Sequence, residues 1–131
     1  MSLNDVLDHL ERAAVIVEAS EHGRLRLRAL FDDRPLTATT RDLCRASKQE
    51  LLDYVQFARK ADRLLLDSTR RLAVAWPEGC ILQSDEPWNE AEAVLHHAYW
   101  TLDEDQLIDA IAAREIVALD IFATFNHERT R

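Results

Sequence analysis

Glycine and proline are scarce in this chain, and both residues are needed where strands reverse direction in tight turns. Only two glycines and three prolines occur among 131 residues, which favours helices over a multi-stranded sheet. The apolar residues recur at spacings of three and four over long stretches, the period of a helix that buries one face. The sequence therefore predicts a mostly α protein, a bundle of four to five helices in a single helical domain over residues 1–131.

The first helix has a well-marked beginning and end. Ser2 and Asp5 have the spacing of a capping box, in which each side chain accepts a hydrogen bond from a backbone N–H of the first turn. Apolar residues follow at helical spacing as far as Val17. Gly23 is a natural stop, because glycine tolerates the left-handed conformation that follows a helix end. We therefore expect this helix to continue from the capping box almost to Gly23.

Residues 24–39 fit two structures. Arginines alternate with apolar residues from Arg24 to Phe31, the period of two that is typical of a half-buried strand. Asp32–Pro35 has the composition of a turn, and residues 36–39 would then return as a second strand of a small β-hairpin at 24–39. Arginine, leucine and alanine are nevertheless better helix formers than strand formers, so a short helix is the alternative.

The middle of the chain contains two helix starts close together. Thr39 with Asp42 and Ser47 with Glu50 both have the capping-box spacing. Either a short helix at 40–46 breaks before a long one, or one helix runs through. A helix of about 28 residues within 47–76 would be about 42 Å long, longer than the roughly 22–26 Å diameter expected of so small a domain. Part of it is therefore expected to project or to pair with another surface.

Two more helices are predicted near the C-terminus. Pro87 suits the first turn of one of them. Thr101 with Glu104 has the capping-box spacing and would begin the other, over about 102–125. That last helix is apolar over more than one narrow stripe, and together with the long helix it favours a homodimer. The residues expected in either the core or the dimer interface are Leu51, Val55, Leu65, Leu72, Ile111 and Phe122.

The charges are sorted along the chain into three blocks. Residues 1–23 carry one Lys or Arg against five Asp and Glu, residues 24–76 carry twelve against seven, and residues 77–131 carry three against twelve. Such sorting indicates a surface that meets a partner of opposite charge. The overall net charge of −8 argues against a general binder of nucleic acid or of anionic membranes.

The acidic C-terminal block suggests where a protein partner would bind. Trp88 lies among acidic residues, and an aromatic anchor with an acidic rim would suit a partner with a basic, apolar-centred surface. Trp76, Trp88 and Trp100 each lie near a predicted helix end, where they could cap the core or stand partly exposed. Trp88 is the best candidate for an exposed one, and the alternative is that Trp88 is a core residue. The predicted partner-binding residues are Asp85, Glu86, Trp88, Glu90 and Trp100.

No catalytic motif, metal site or cofactor site is predicted. Glu92 and His96 lie four apart on a predicted helix next to His97, but a di-iron pair of Glu-x-x-His motifs and a zincin motif are both absent from the sequence. Cys44 and Cys80 are isolated from each other and make no metal-type pair. Two reduced thiols, and an N-terminus without a secretory signal, lead us to expect a cytoplasmic protein.

The sequence is therefore most consistent with a small regulatory or adaptor protein that binds another protein and blocks or escorts it. Anti-activators, antitoxins, immunity proteins and secretion chaperones all fit this description. The first alternative is a DNA-binding transcriptional regulator that uses the basic residues of 24–48. The second is a small helical enzyme with a site around Glu92, His96 and His97.

Overall fold

The structure is a computed structural model that describes residues 2–130. It is 67% helical, which confirms the prediction of a mostly α protein with a small hairpin. The chain divides into a first compact unit, Met1–Phe57, and a second, Ala58–Arg131. In chain order the described elements are α1 (Leu3–Arg12), β1 (Val15–Ala19), β2 (Leu25–Ala29), α2 (Ala38–Ala46), α3 (Lys48–Ala75), α4 (Glu86–Tyr99) and α5 (Glu104–Arg129).

Helix α1 begins as predicted but ends much earlier. The capping box is present, since the Ser2 backbone N–H donates to Asp5 Oδ2 at 3.0 Å and the Asp5 N–H donates to Ser2 Oγ at 3.3 Å. The helix stops at Arg12, and Ala14 takes a φ of 55°. The three residues that follow are the β-branched sequence Val-Ile-Val. Such residues lose side-chain freedom in a helix and pack well in a strand, so the chain extends instead.

The hairpin spans residues 15–29 rather than 24–39. Strand β2 lies where a strand was predicted, but it pairs antiparallel with β1, in a register that places Val17 opposite Leu27. Gly23 lies in the connecting turn with a φ of 72°, and its N–H donates to the Ser20 carbonyl at 3.0 Å. Residues 36–39 form no strand. Thr37 is the N-cap of α2 in place of the expected Thr39.

Helices α2 and α3 are separate, as the first of the two alternatives predicted. Only Ser47 lies between them, and its φ of −111° and ψ of 24° interrupt the helical backbone. Helix α3 then continues for 28 residues. The core of the first unit forms between α1, β1, α2 and the beginning of α3, and its buried members are Val6, Leu10, Val15, Cys44 and Leu51.

The second unit is built on α4, α5 and the part of α3 beyond Phe57. Pro87 lies in the first turn of α4, as predicted, and Asp85 is the N-cap of the helix. Helix α5 begins after Asp103, which caps it in place of the expected Thr101. The Thr101 hydroxyl donates to the Ala98 carbonyl at 2.8 Å and so belongs to the end of α4. The core members are Leu72, Cys80, Leu82, Trp88, Ala118 and Phe122.

Most residues assigned to core or interface from the sequence are core residues. Leu51, Leu72, Ile111 and Phe122 are buried, whereas Val55 and Leu65 are half-buried. Among residues 2–130, no helix combines the length and the apolar character needed to cross a membrane.

Candidate protein-binding groove

The loop between α3 and α4 brings an apolar side chain to the surface of the second unit. Gly79 has a φ of 83°, in the left-handed region that glycine adopts without strain. The indole Nε1 of Trp76 donates to the Cys80 carbonyl oxygen at 2.9 Å. The Trp76 ring also lies 5.2 Å from that of Phe122 on α5. The loop is thereby held against α5, while Ile81 remains 66% exposed.

This loop, the first turn of α4 and the second half of α5 border a groove of about 540 Å³. Its floor is apolar, and carboxylates stand along its edges. We call it the acidic groove. Its floor is formed by Ile81, Pro87, Val117, Ile121 and Phe125, and its rim by Asp85, Asp120 and Glu128.

The three rim carboxylates come from two elements. Asp85 lies at the start of α4, where its Oδ1 accepts a hydrogen bond from the Trp88 backbone N–H at 3.1 Å. Asp120 and Glu128 are exposed on α5. Within residues 2–130, no rim carboxylate forms an ion pair. The groove therefore combines an apolar floor with negative charge that is open to a basic ligand.

The thiol at the edge of the acidic groove is not activated. Burial raises the pKa of Cys80, and the negative charge of Asp85 raises it further. Burial likewise raises the pKa of Cys44 in the first unit. Because both pKa values are raised, both thiols remain protonated at neutral pH. The nucleophilic form, the thiolate, is therefore scarce. Cys80 therefore contributes apolar surface to the groove.

Trp88 is a core residue, so the expectation that it is exposed is wrong. Its side chain is only 8% exposed. The Arg114 guanidinium lies 5.1 Å from the centre of the Trp88 ring and donates to Glu92 Oε1 at 3.3 Å. Helix α4 is amphipathic around Trp88, and the ring lies on its buried side. The acidic residues around Trp88 in sequence therefore do not surround an exposed ring.

The other predicted partner-binding residues are not gathered into one patch. Glu86 and Glu90 are exposed near the start of α4. Trp100 is 48% exposed but lies at the opposite end of α4. At the rise of an α-helix, Trp100 is roughly 18 Å from Trp88 along the helix axis. Of the five residues, only Asp85 lines the acidic groove.

Most of the groove was not identified from the sequence. Val117, Ile121 and Phe125 belong to the broad apolar surface that was predicted for the last helix, and Asp120 and Glu128 were not singled out. The sequence did contain a signal for a further binding surface. Apolar residues lie around most of the circumference of α5, which is more apolar surface than a helix with one buried face needs. The sequence did not show which part of that surplus another element would leave open.

The residues of the proposed enzyme site are arranged without a shared ligand position. Glu92 is bonded to Arg114, while His96 and His97 are exposed near the end of α4. Among residues 2–130, no group of three or more His, Cys, Asp or Glu side chains is placed to hold a metal ion.

The basic residues of 24–48 are divided between two faces of the first unit. Arg41, Arg45 and Lys48 line a hollow of about 390 Å³ against Leu25, Leu27 and Leu36. Strand side chains alternate in direction, so Arg26 and Arg28 point to the opposite face of β2 from its two leucines. Arg28 there donates to Glu18 at 3.1 Å. A DNA duplex that lay against one face would reach only some of these cations.

Comparison of the chain with protein-family models, with curated proteins and with solved structures found no match.

Proposed function

We propose that this chain is a small regulatory or adaptor protein that binds another protein and blocks or escorts it. The acidic groove is the observation that carries this proposal. It accepts an apolar side chain of the partner on its floor, while lysine or arginine residues on either side of that side chain meet Asp85, Asp120 and Glu128.

The two parts of the groove have different physical roles. The apolar floor supplies binding free energy, because a side chain that enters it leaves water. The rim carboxylates steer a basic segment to the groove and discriminate against acidic segments, since like charges across an interface are strongly unfavourable. Specific recognition of a basic, apolar-centred segment needs both.

The basic hollow of the first unit is a weaker candidate for the principal site. Its cations are exposed to solvent. Arg45 also forms an ion pair, in which its Nη1 lies 3.5 Å from Asp42 Oδ1. The acidic groove is larger and has the more extensive apolar floor. We therefore place the partner-binding function in the second unit.

Peptide selection on immobilised protein tests the proposal directly. A displayed library of random peptides should yield sequences with an apolar residue flanked by lysine or arginine. Reversal of the rim charge in a double variant, Asp120→Lys with Glu128→Lys, should weaken binding of a selected peptide at least tenfold. Added salt should weaken binding to the unmodified protein through screening. Ile81→Ser should also weaken binding, because it removes apolar area from the floor.

Two matched variants serve as controls. Asp109→Lys reverses one carboxylate on α5 outside the groove, half of the charge change in the double variant, and Val94→Ser removes an exposed apolar side chain from α4. Both should bind the selected peptide as the unmodified protein does. The proposal is contradicted if the selection enriches no basic, apolar-centred sequence, or if the rim variant binds as tightly as the control.

A further inference from the structure

Helix α5 has a second apolar face that no other element covers. Five of its residues, Ile108, Ala112, Ile116, Leu119 and Ala123, are spaced by four, four, three and four positions. At about 100° per residue, these spacings keep all five on one side of the helix. Ile108 is 43% exposed, Ile116 61% and Leu119 47%, and the two alanines between and beyond them are also exposed. We call this face the outer stripe: Ile108, Ala112, Ile116, Leu119 and Ala123.

We propose that two copies of this chain form a dimer through the outer stripe, with the two α5 helices antiparallel about a two-fold axis near residues 115 and 116. This inference is independent of the acidic groove, which lies on another side of α5 and stays open in such a dimer.

Large and small side chains follow one another along the outer stripe in an order that lets two antiparallel copies of it fit together. An antiparallel pair centred between residues 115 and 116 places Ile108 opposite the partner's Ala123. It also places Ala112 opposite the partner's Leu119. Ile108 and Leu119 thus each face an alanine, which lets two helices approach closely and interdigitate, while Ile116 lies next to the two-fold axis. A monomer has no packing reason for this symmetry on an exposed face.

A hollow lies beside Ala112 where such a dimer needs one. It has a volume of about 170 Å³ between α3 and α5, and its apolar lining includes Leu64, Ile108 and Ala112. Viewed down the axis of α5, the outer stripe has one edge toward α3 and one edge away from it. Leu119 and this hollow both lie toward the α3 edge. A two-fold axis of this kind brings equivalent edges of the two stripes together. The partner's Leu119 therefore enters the hollow, and the same contact is repeated on the other side of the axis.

The charges near the two-fold axis are compatible with this arrangement. Glu115 is held by Arg71, whose Nε donates to the Glu115 carboxylate at 3.1 Å. This ion pair lies at the hollow, so the symmetry brings two such pairs together. Each Arg71 then lies near the Glu115 carboxylates of both copies. Asp67 also lines the hollow and acts on Arg71, so each copy brings two carboxylates and one arginine to it. Since Arg71 lies beside Glu115 in each copy, the two Glu115 carboxylates do not meet as unpaired charges.

The size of the contact sets the concentration at which it should form. The outer stripe is about 22 Å long, so the interface is at the small end of specific protein contacts. We expect a dimer that dissociates in the micromolar range. Analytical ultracentrifugation across a concentration series measures this directly.

The decisive variant is Leu119→Glu, with Leu66→Glu on α3 as its matched control. Leu119 is 47% exposed and Leu66 49%, so the fold should tolerate either change. A glutamate at 119 would have to lose its hydration in the hollow, and the dimer dissociation constant should rise at least tenfold. Leu66→Glu should leave it unchanged, because residue 66 lies on the side of α3 away from Asp67 and Arg71. Ala112→Phe should also weaken the dimer, because it fills the hollow without adding charge.

Crosslinking tests the register. The variant Ile116→Cys should form a disulfide-linked dimer under mild oxidation because residue 116 lies next to the two-fold axis, whereas Leu66→Cys should not. Cys44 and Cys80 are buried and provide little background. The inference is overturned if the protein is monomeric up to several hundred micromolar, or if Leu119→Glu dimerises as the unmodified protein does. Binding of a selected basic peptide to Leu119→Glu should persist in any case, so a failure here is distinguishable from a failure of the proposed function.

Discussion

Trp88 and Trp100 show how two residues of the same kind receive different roles from their positions on one helix. Trp88 follows the N-cap of α4 on the buried side and lies beside Arg114. Trp100 is the C-cap of the same helix, where its ring meets that of Tyr99 edge-on at 5.9 Å. The first tryptophan therefore stabilises the second unit, and the second is half exposed.

Replacement of Trp88 by alanine should destabilise the protein by about 3–5 kcal/mol, the usual cost of removing a buried aromatic side chain. The loss of the ring also removes the surface that Arg114 covers. Urea unfolding monitored by circular dichroism measures the change. Trp100→Ala is the control and should cost much less, since its ring is half exposed. Equal stabilities of the two variants would contradict the core assignment of Trp88.

At the scale of elements, α3 and α5 are joined by a bidentate ion pair. Arg71 Nε lies 3.1 Å from one carboxylate oxygen of Glu115 and 3.3 Å from the other. The hydrogen bonds from Arg71 lower the pKa of Glu115 below its ordinary value, although burial of the carboxyl acts in the opposite direction. Glu115 is thus more acidic in the folded protein than in the unfolded chain.

This difference in pKa predicts a pH dependence of stability. A carboxyl group whose pKa is lowered by folding stabilises the folded state at pH values above its unfolded pKa. The stabilisation is lost as the pH falls through the folded pKa. The variant Glu115→Gln should therefore lose stability at neutral pH and converge with the unmodified protein in acid. Urea unfolding at pH 7 and at several values below about pH 4.5 checks this.

The control for this experiment is Asp120→Asn, a comparable neutralisation of an exposed carboxylate on the same helix that forms no ion pair within residues 2–130. Its stability should follow that of the unmodified protein across the pH series. A Glu115→Gln variant that retained a constant offset down to the most acidic values would show that the ion pair is not the cause.

At the scale of the whole molecule, α3 supplies side chains to both hydrophobic clusters. Leu51 belongs to the cluster of the first unit and Leu72 to that of the second. Each is nearly inaccessible to solvent. They are 21 residues apart in the chain.

Leu51→Ala and Leu72→Ala should each cost about 2–5 kcal/mol, and the costs should add in the double variant within roughly 0.5 kcal/mol because the two sites share no neighbours. Chemical denaturation of the four proteins completes the double-mutant cycle. Hydrogen exchange should show that each single variant loses protection first around its own cluster. A coupling energy well above 1 kcal/mol would contradict the separation of the two clusters.

The sequence by itself determined the elements whose causes are local. The capping box at Ser2 and Asp5, Pro87 in the first turn of α4 and the length of α3 follow from residues close together in the chain. The strand at 25–29 was visible in its alternation. Its pairing was not, because the favoured partner depended on whether Val15–Ala19 would remain helical, and only the hydrogen bonds to β2 resolve that.

Only the tertiary structure decided which apolar and acidic residues face the solvent together. Periodicity along one helix shows which residues share a side, but it does not show which side another helix covers. Trp88 was therefore misplaced at the surface. For the same reason, the acidic groove and the outer stripe became visible only once α4 and the loop before it were packed against α5.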